Sequence, residues 1–391
     1  MNAISVLHLS RFTLLLFVLF IASGCASQQV RQDLNAANFL HDEAFPESAG
    51  YLIESREAVF ALNEQLKNHL DRKLGRTRGL QARTSNSIVK EIIQQVSRKL
   101  TYDSAANTTA SETFQSQTAN CLSLSILTYS MAEHLGFHAT FRLVDIPEYW
   151  EWRDGHALMA RHVNLLLEPE ATFGQVFSQT IEVDFFAPGS SRRFASRPIT
   201  ESTVLAMFYN NKGTDALMAG DLALAYAYLR AALVQDPSLD MAVSNLGLLY
   251  AKRGHWQWAE KNYREAARRN PDNTVSAEGL AMVLKMTGRD EEAEAILARL
   301  ERQRQDNPYF HYVQGEEAYS AGNWQQAIRS FHRAIELGPG IDQPYFGLAK
   351  TYFRMGDNAN AETWLRRAEH HADKDEVKQR YRNKIAALTG L

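Results

Sequence analysis

Cysteine is nearly missing from this chain: 391 residues hold two, Cys25 and Cys121. At most one bridge is possible, and no zinc-finger spacing of Cys and His occurs. A charge excess is also lacking. There are 42 Lys and Arg against 45 Asp and Glu, a net charge of −3. The basic residues are scattered, with no basic helix and no aromatic-basic strand pattern, so nucleic acid is not an expected partner. Long apolar runs are absent beyond the first 25 residues. What is present is ordinary globular composition, 45% apolar and 22% charged, on a length with room for two or three domains.

The first residues are set apart. Arg11 precedes an apolar run, Phe12 to Ile21, interrupted by Thr13, and Ala22-Ser23-Gly24 leads into Cys25. A charged start, a short apolar core and small residues before a cleavage point describe a secretory signal. The run falls short of the roughly twenty apolar residues that span a bilayer. Small residues directly before a cysteine resemble the lipobox of bacterial lipoproteins, with Ala22 where leucine is usual. That resemblance implies cleavage after residue 24 and acylation of Cys25. Ala26 in place of aspartate implies an outer-membrane anchor facing the periplasm. Residues 25–45 then read as a flexible tether. With Cys25 lipidated, Cys121 has no intramolecular partner, which raises the interest of its thiol in an oxidising compartment.

Helical spacing recurs from Ser55 to Leu74 and from Ser85 to Leu100. Tyr102 to Thr118 is rich in Ser, Thr, Asn and Ala and predicts a mobile loop. Leu122 to Leu135 is apolar on nearly every side, hence a buried helix, closed by Gly136. Strand-like runs follow at His138–Val144, His162–Leu167 and Thr180–Phe186. Helices followed by strands predict an α+β domain over residues 46–187. Ala187 to Thr200 has linker composition, so a linker is expected over 188–205. Trp150 and Trp152 fall on the expected loop before His162, where they would wall a cleft or pin the loop.

The C-terminal half follows a ruler. Gly220, Gly254, Gly288, Gly322 and Gly356 are each 34 residues apart, as are Ala225, Ala259, Ala293, Ala327 and Ala361. Small residues at fixed places in a 34-residue period resemble the tetratricopeptide repeat. The clearest copy carries Leu246-Gly247, Tyr250, Ala259, Tyr263, Ala266 and Pro271. Small Gly247 and Ala259 allow close helix approach, and the two tyrosines fill the gaps beside them. Five repeats over 206–374 with a capping helix over 375–391 make an all-α solenoid whose partner is a protein or peptide. His370 and His371 are helix neighbours that diverge, so no metal site is expected there.

A thiol attacks as its thiolate, and a helix N-terminus favours that anion. Cys121 stands at such a terminus, behind the capping candidates Thr118 and Asn120. A base and an orienting acid are still needed. His162 opens one strand and Asp184 ends the next; His156, in "DGHALM", is the alternative base. The runs "NCLSLS", "EHLGF", "RHVNLLLE" and "IEVDFF" resemble, over residues 85–187, the transglutaminase-like, papain-related superfamily of cysteine hydrolases. The resemblance implies Cys121 as nucleophile, His162 as base and Asp184 as orienter, with Gln115 or Gln117 as oxyanion donor and no cofactor. It implies a cysteine-dependent amide hydrolase or acyltransferase acting through a thioester. The rival expectation is a non-catalytic periplasmic adaptor with a degenerate domain of the same kind.

Overall fold

The computed structural model describes residues 35–73, 101–103, 105–153, 156–169, 180–185, 195–271, 273–372 and 375–389; for 145–153, 156–160, 169, 375 and 376 it describes the backbone alone. Cys25, the signal segment and the helix expected at Ser85–Leu100 lie outside the described residues.

Two short helices, α1 (Arg56–Phe60) and α2 (Glu64–Lys73), replace the single helix expected from Ser55 to Leu74. Each has its own start signal. Ser55 accepts the Ala58 N–H, and Asn63 Oδ1 accepts the Leu66 N–H at 2.8 Å, while Ala61 between them is extended. The expected loop at 102–118 is a folded unit. Strand β1 (Thr101–Tyr102) pairs in parallel with β2 (Thr118–Ala119) around helix α3 (Ala110–Ser116). A capping box starts α3: Thr109 Oγ1 accepts the Glu112 N–H, and the Glu112 carboxylate accepts the Thr109 N–H.

Helix α4 (Cys121–His134) is buried nearly all round, and Gly136 follows it at φ 81°. The sheet is built from β3 (Phe137–Arg153), β4 (His156–Pro169), β5 (Ile181–Val183) and β6 (Ser196–Ile199), ordered β5-β4-β3-β6 with antiparallel neighbours. Ala139, Phe141 and Leu143 lie opposite Leu167, Leu165 and Val163, and all six are buried. Alternation therefore gives β4 one apolar face and turns His162 and Asn164 the other way. Trp150 and Trp152 are not on a loop; their backbone pairs with Met159 and Ala157 in a long β3–β4 hairpin. The expected linker is corrected likewise. Ser196–Ile199 is an edge strand on β3, with Pro198 opposite Arg142, a place where its missing N–H costs no ladder bond.

Five helix pairs follow: α5 (Glu201–Ala219) with α6 (Leu222–Gln235), α7 (Asp240–Lys252) with α8 (Trp256–Arg269), α9 (Thr274–Met286) with α10 (Asp290–Gln305), α11 (Pro308–Ser320) with α12 (Trp324–Leu337), and α13 (Asp342–Arg354) with α14 (Asn358–His371). The five ruler glycines sit between the members of each pair at φ 76° to 82°, where a side chain would cost about 1 kcal/mol or more. A final helix, α15 (Asp375–Thr389), buries Val377, Tyr381 and Ile385 against the last pair, and Tyr381 donates to Asp342 at 2.8 Å. Rings are slotted between glycines of successive pairs. A Cβ on Gly247 or Gly279 would stand 3.0 or 2.3 Å from the Tyr263 ring, and one on Gly315 or Gly347 2.5 Å from the Phe331 ring.

The expected tether is partly fixed in place. Residues 36–50 form short 3-10 turns laid across α6, α7 and α8. Phe45 stacks on Tyr226 with centroids 4.4 Å apart, and His41 stacks on Trp258 at 3.8 Å. Tyr250 donates to the Phe39 carbonyl at 2.7 Å, and Arg230 pairs with Asp42 at 2.9 Å. The aromatic pair at Phe39 and Phe45, buried to 4% and 0%, outweighs the polar composition around it. One apolar core runs from this strap through α4 and the sheet to Ala293.

The ring slot yields a direct test. Gly279→Ala is expected to destabilise the chain by about 1–3 kcal/mol in urea unfolding. In a Tyr263→Leu background the same substitution should cost clearly less; an equal cost in both backgrounds would place the strain elsewhere.

Candidate functional site

Asn120 begins the site. Its backbone is extended, and its Oδ1 accepts the Ser123 N–H at 2.8 Å, so it is the cap that starts α4 at Cys121. Thr118 lies in β2 instead. The preceding loop is tied to the same turn. Ser123 Oγ donates to the Ala106 carbonyl at 3.0 Å and accepts the Thr108 N–H at 2.9 Å, while the Asn120 N–H reaches the Ala106 carbonyl at 3.2 Å. Cys121 is half-buried at this start.

One turn later, Ser125 Oγ lies 2.9 Å from the Cys121 carbonyl and 3.2 Å from the Val163 carbonyl. The first turn of α4 is thereby fixed to the residue directly after His162. His162 is 3% exposed, and its Nε2 is 2.7 Å from Asp184 Oδ1, whose side chain is 10% exposed. The register explains the pairing: β5 sets Val183 opposite Leu165, which carries the chain to Asp184 beside the polar face of β4. A second pair runs parallel to the first, Asn164 Nδ2 donating to Glu182 Oε1 at 2.6 Å. A ring whose Nε2 meets a carboxylate can serve a thiol only through Nδ1.

His156 stands at the far end of β4, opposite Arg153, six residues or about 20 Å of strand from His162. Its side chain lies outside the described residues. Gln117 does not offer its amide to the helix start: it takes a left-handed φ of 55° and donates Nε2 to the Phe114 carbonyl at 2.5 Å. Gln115 is exposed on α3.

Two connections to the helical half had no counterpart in the sequence reading. Asn120 Nδ2 donates to Asn107 Oδ1 at 2.6 Å, and Asn107 Nδ2 donates to Asp215 Oδ2 on α5 at 2.5 Å. Arg161, the neighbour of His162, donates to both oxygens of Asp240 at the start of α7, at 2.6 and 2.5 Å. Asn107 is visible in the sequence only as part of "SAANTT", which read as loop; the Thr109-Glu112 capping box just after it was the available signal of order.

With the geometry in place, comparison with known proteins bears on the helical half. The tetratricopeptide repeat family matches residues 250–316 and residues 312–376. The C-terminal part is a tetratricopeptide-repeat solenoid. Such repeats bind protein or peptide partners. A mouse protein, Superkiller complex protein 3, is 34% identical over 95 residues, 24% of this chain; the match spans 6% of the mouse protein's length. Among solved structures, YrrB, described as a TPR protein with an unusual peptide-binding site, is 20% identical with a TM-score of 0.25. That match covers 46% of this chain and 92% of YrrB. TTC0263, described as a thermophilic TPR protein in Thermus thermophilus, is 21% identical with a TM-score of 0.26, over 48% of this chain and all of that one.

Proposed function

We propose that this protein is a cysteine-dependent amide or peptide hydrolase whose repeats recruit a protein substrate, with acyl transfer to a second amine as its alternative outcome. The observation that carries the reading is the buried His162–Asp184 pair on the strand to which the first turn of the Cys121 helix is hydrogen-bonded. The parts then have distinct work. The helix start favours the thiolate of Cys121, and Asp184 holds the ring so that it serves the sulfur rather than solvent. His162 accepts the thiol proton as sulfur attacks the amide carbonyl, and the carbonyl electron pair moves to oxygen. Backbone amides at the head of α4 face that developing charge. Collapse expels the amine, which leaves with the proton from His162, and a thioester to Cys121 remains. His162 next takes a proton from water as the water oxygen attacks the thioester, releasing the acid and restoring the thiol.

The reading predicts rapid iodoacetamide labelling of Cys121 near pH 6 in the full chain, slowed at least tenfold in His162→Ala. Labelling that rises only toward the ordinary thiol range near pH 8.5 would leave a binding module in place of an enzyme.

We also place the protein on the periplasmic side of the outer membrane, held by lipid on Cys25. The support is the sequence around Arg11 to Ala26. Labelled palmitate should enter the protein in a bacterial host and fail to enter Cys25→Ser; equal labelling of both would remove the anchor.

A further inference from the structure

We infer that two carboxylates of the solenoid, Asp215 and Asp240, are positioning residues for the thiol and the imidazole, so that the first two repeats are part of the site rather than a detachable recruiting arm. The inference rests on the thiol-hydrolase reading above and deepens it.

The two proposed reacting residues share a feature. Each has its immediate chain neighbour fastened to a different repeat. Asn120 precedes Cys121, and Arg161 precedes His162. Asn120 must spend its Oδ1 on the Ser123 N–H to start the helix, which leaves its NH2 as the group that meets Asn107. Asn107 then accepts through Oδ1 and must donate onward through its own NH2. A carboxylate only accepts, so Asp215 at the end of the chain fixes the orientation of both amides in turn. Asn107 and Asn120 are 7% and 5% exposed, where a reversed amide would leave buried donors face to face.

Arg161 and His162 leave β4 on opposite faces. While His162 meets Asp184, the Arg161 guanidinium meets Asp240, whose side chain is 7% exposed. Asp240 Oδ2 also accepts from Asn270 at 3.0 Å and Asn273 at 3.2 Å, and the residue opens α7, where the helix dipole favours an anion. This carboxylate is saturated and rigid, so β4 is held from both sides at the position of the base. Asp215 and Asp240 lie on the first helices of consecutive repeats. The spacing of those two helices therefore sets where the head of α4 stands relative to His162.

The test uses the full chain with hydrogen exchange resolved to the backbone at 120–124 and 161–165, alongside the rate of Cys121 alkylation at pH 6. Asp215→Ala should speed exchange at 120–124 and slow alkylation by roughly tenfold to a hundredfold, the scale of a small misplacement. Asp215→Asn keeps an acceptor and should restore most of both. Arg161→Leu with Asp240→Asn, which leaves no buried lone charge, should speed exchange at 161–165 and slow alkylation likewise. Should Asp215→Ala unfold the chain, Asn107→Ala, which leaves the solenoid untouched, carries the same expectation. Exchange at these segments unchanged in the variants, or Asp215→Asn as damaged as Asp215→Ala, overturns the inference. If the wild-type thiol is itself slow at pH 6, the enzyme reading fails, and exchange alone then decides whether the carboxylates position these segments.

Discussion

The 2.7 Å contact between His162 Nε2 and Asp184 Oδ1 is the constraint on which the rest of the site depends. An imidazole offers two nitrogens, and a buried carboxylate on one of them fixes ring orientation and leaves the other for chemistry. The fold is arranged around that bond. Alternation along β4 sends Val163, Leu165 and Leu167 into the core and leaves His162 and Asn164 facing Asp184 and Glu182. The strand β5 is only three residues long, ending where Asp184 is needed. Helix α4 is then docked by Ser125 onto Val163, so strand and helix meet at the same level.

The helical half was legible because its rule is geometric and repeated. A left-handed turn between paired helices requires glycine, and five of them at a 34-residue step give the period away. The third repeat forms its two helices despite lacking the proline at its end, since Ala277, Leu280, Leu284 and Ala293 still fill the core. Around the site, an N-cap before a buried helix and two β-branched or apolar strands were also readable. What escaped was order carried by single polar side chains. The stretch 102–118 is polar, yet one capping box and the Ala106–Ser123 and Asn107–Asn120 bonds fold it against α4. Composition averages such contacts away. The strap at 36–50 escaped for a similar reason: Phe45 and His41 find rings on α6 and α8, and the Phe39 carbonyl finds the Tyr250 hydroxyl on α7, at sequence separations of roughly 180 to 220 residues. Edge strand β6 was hidden in linker composition, because an edge position tolerates Pro198 and needs only one ladder.

The strap, β6 and the two carboxylate connections all join the α+β part to the first repeats, and the core passes through the junction without a break. Tyr209 donates to the Glu54 carbonyl and Tyr228 to its carboxylate, while Arg56 pairs with Glu201, so α1 and the segment just before it are bound to α5 and α6 as well. Burial and the nearby Glu54 charge push the Tyr209 hydroxyl up to about 12, which keeps it a neutral donor across the accessible pH range. The later repeats sit apart from this weld, with their own smaller clusters around Phe331 and around Tyr345. The apolar packing is thus continuous where the site is held and divides into separate clusters in the far repeats.

We propose that Cys121 is a nucleophile served by His162. The most direct measurement of this role is pre-steady-state acylation of the full chain by p-nitrophenyl acetate, read as nitrophenol release together with the mass of the intact protein. The account predicts a burst close to one equivalent with an acetyl group on Cys121, lost in Cys121→Ala and strongly slowed in His162→Ala. Acylation no faster than that of a free thiol such as glutathione, or a burst that persists without Cys121, would contradict it.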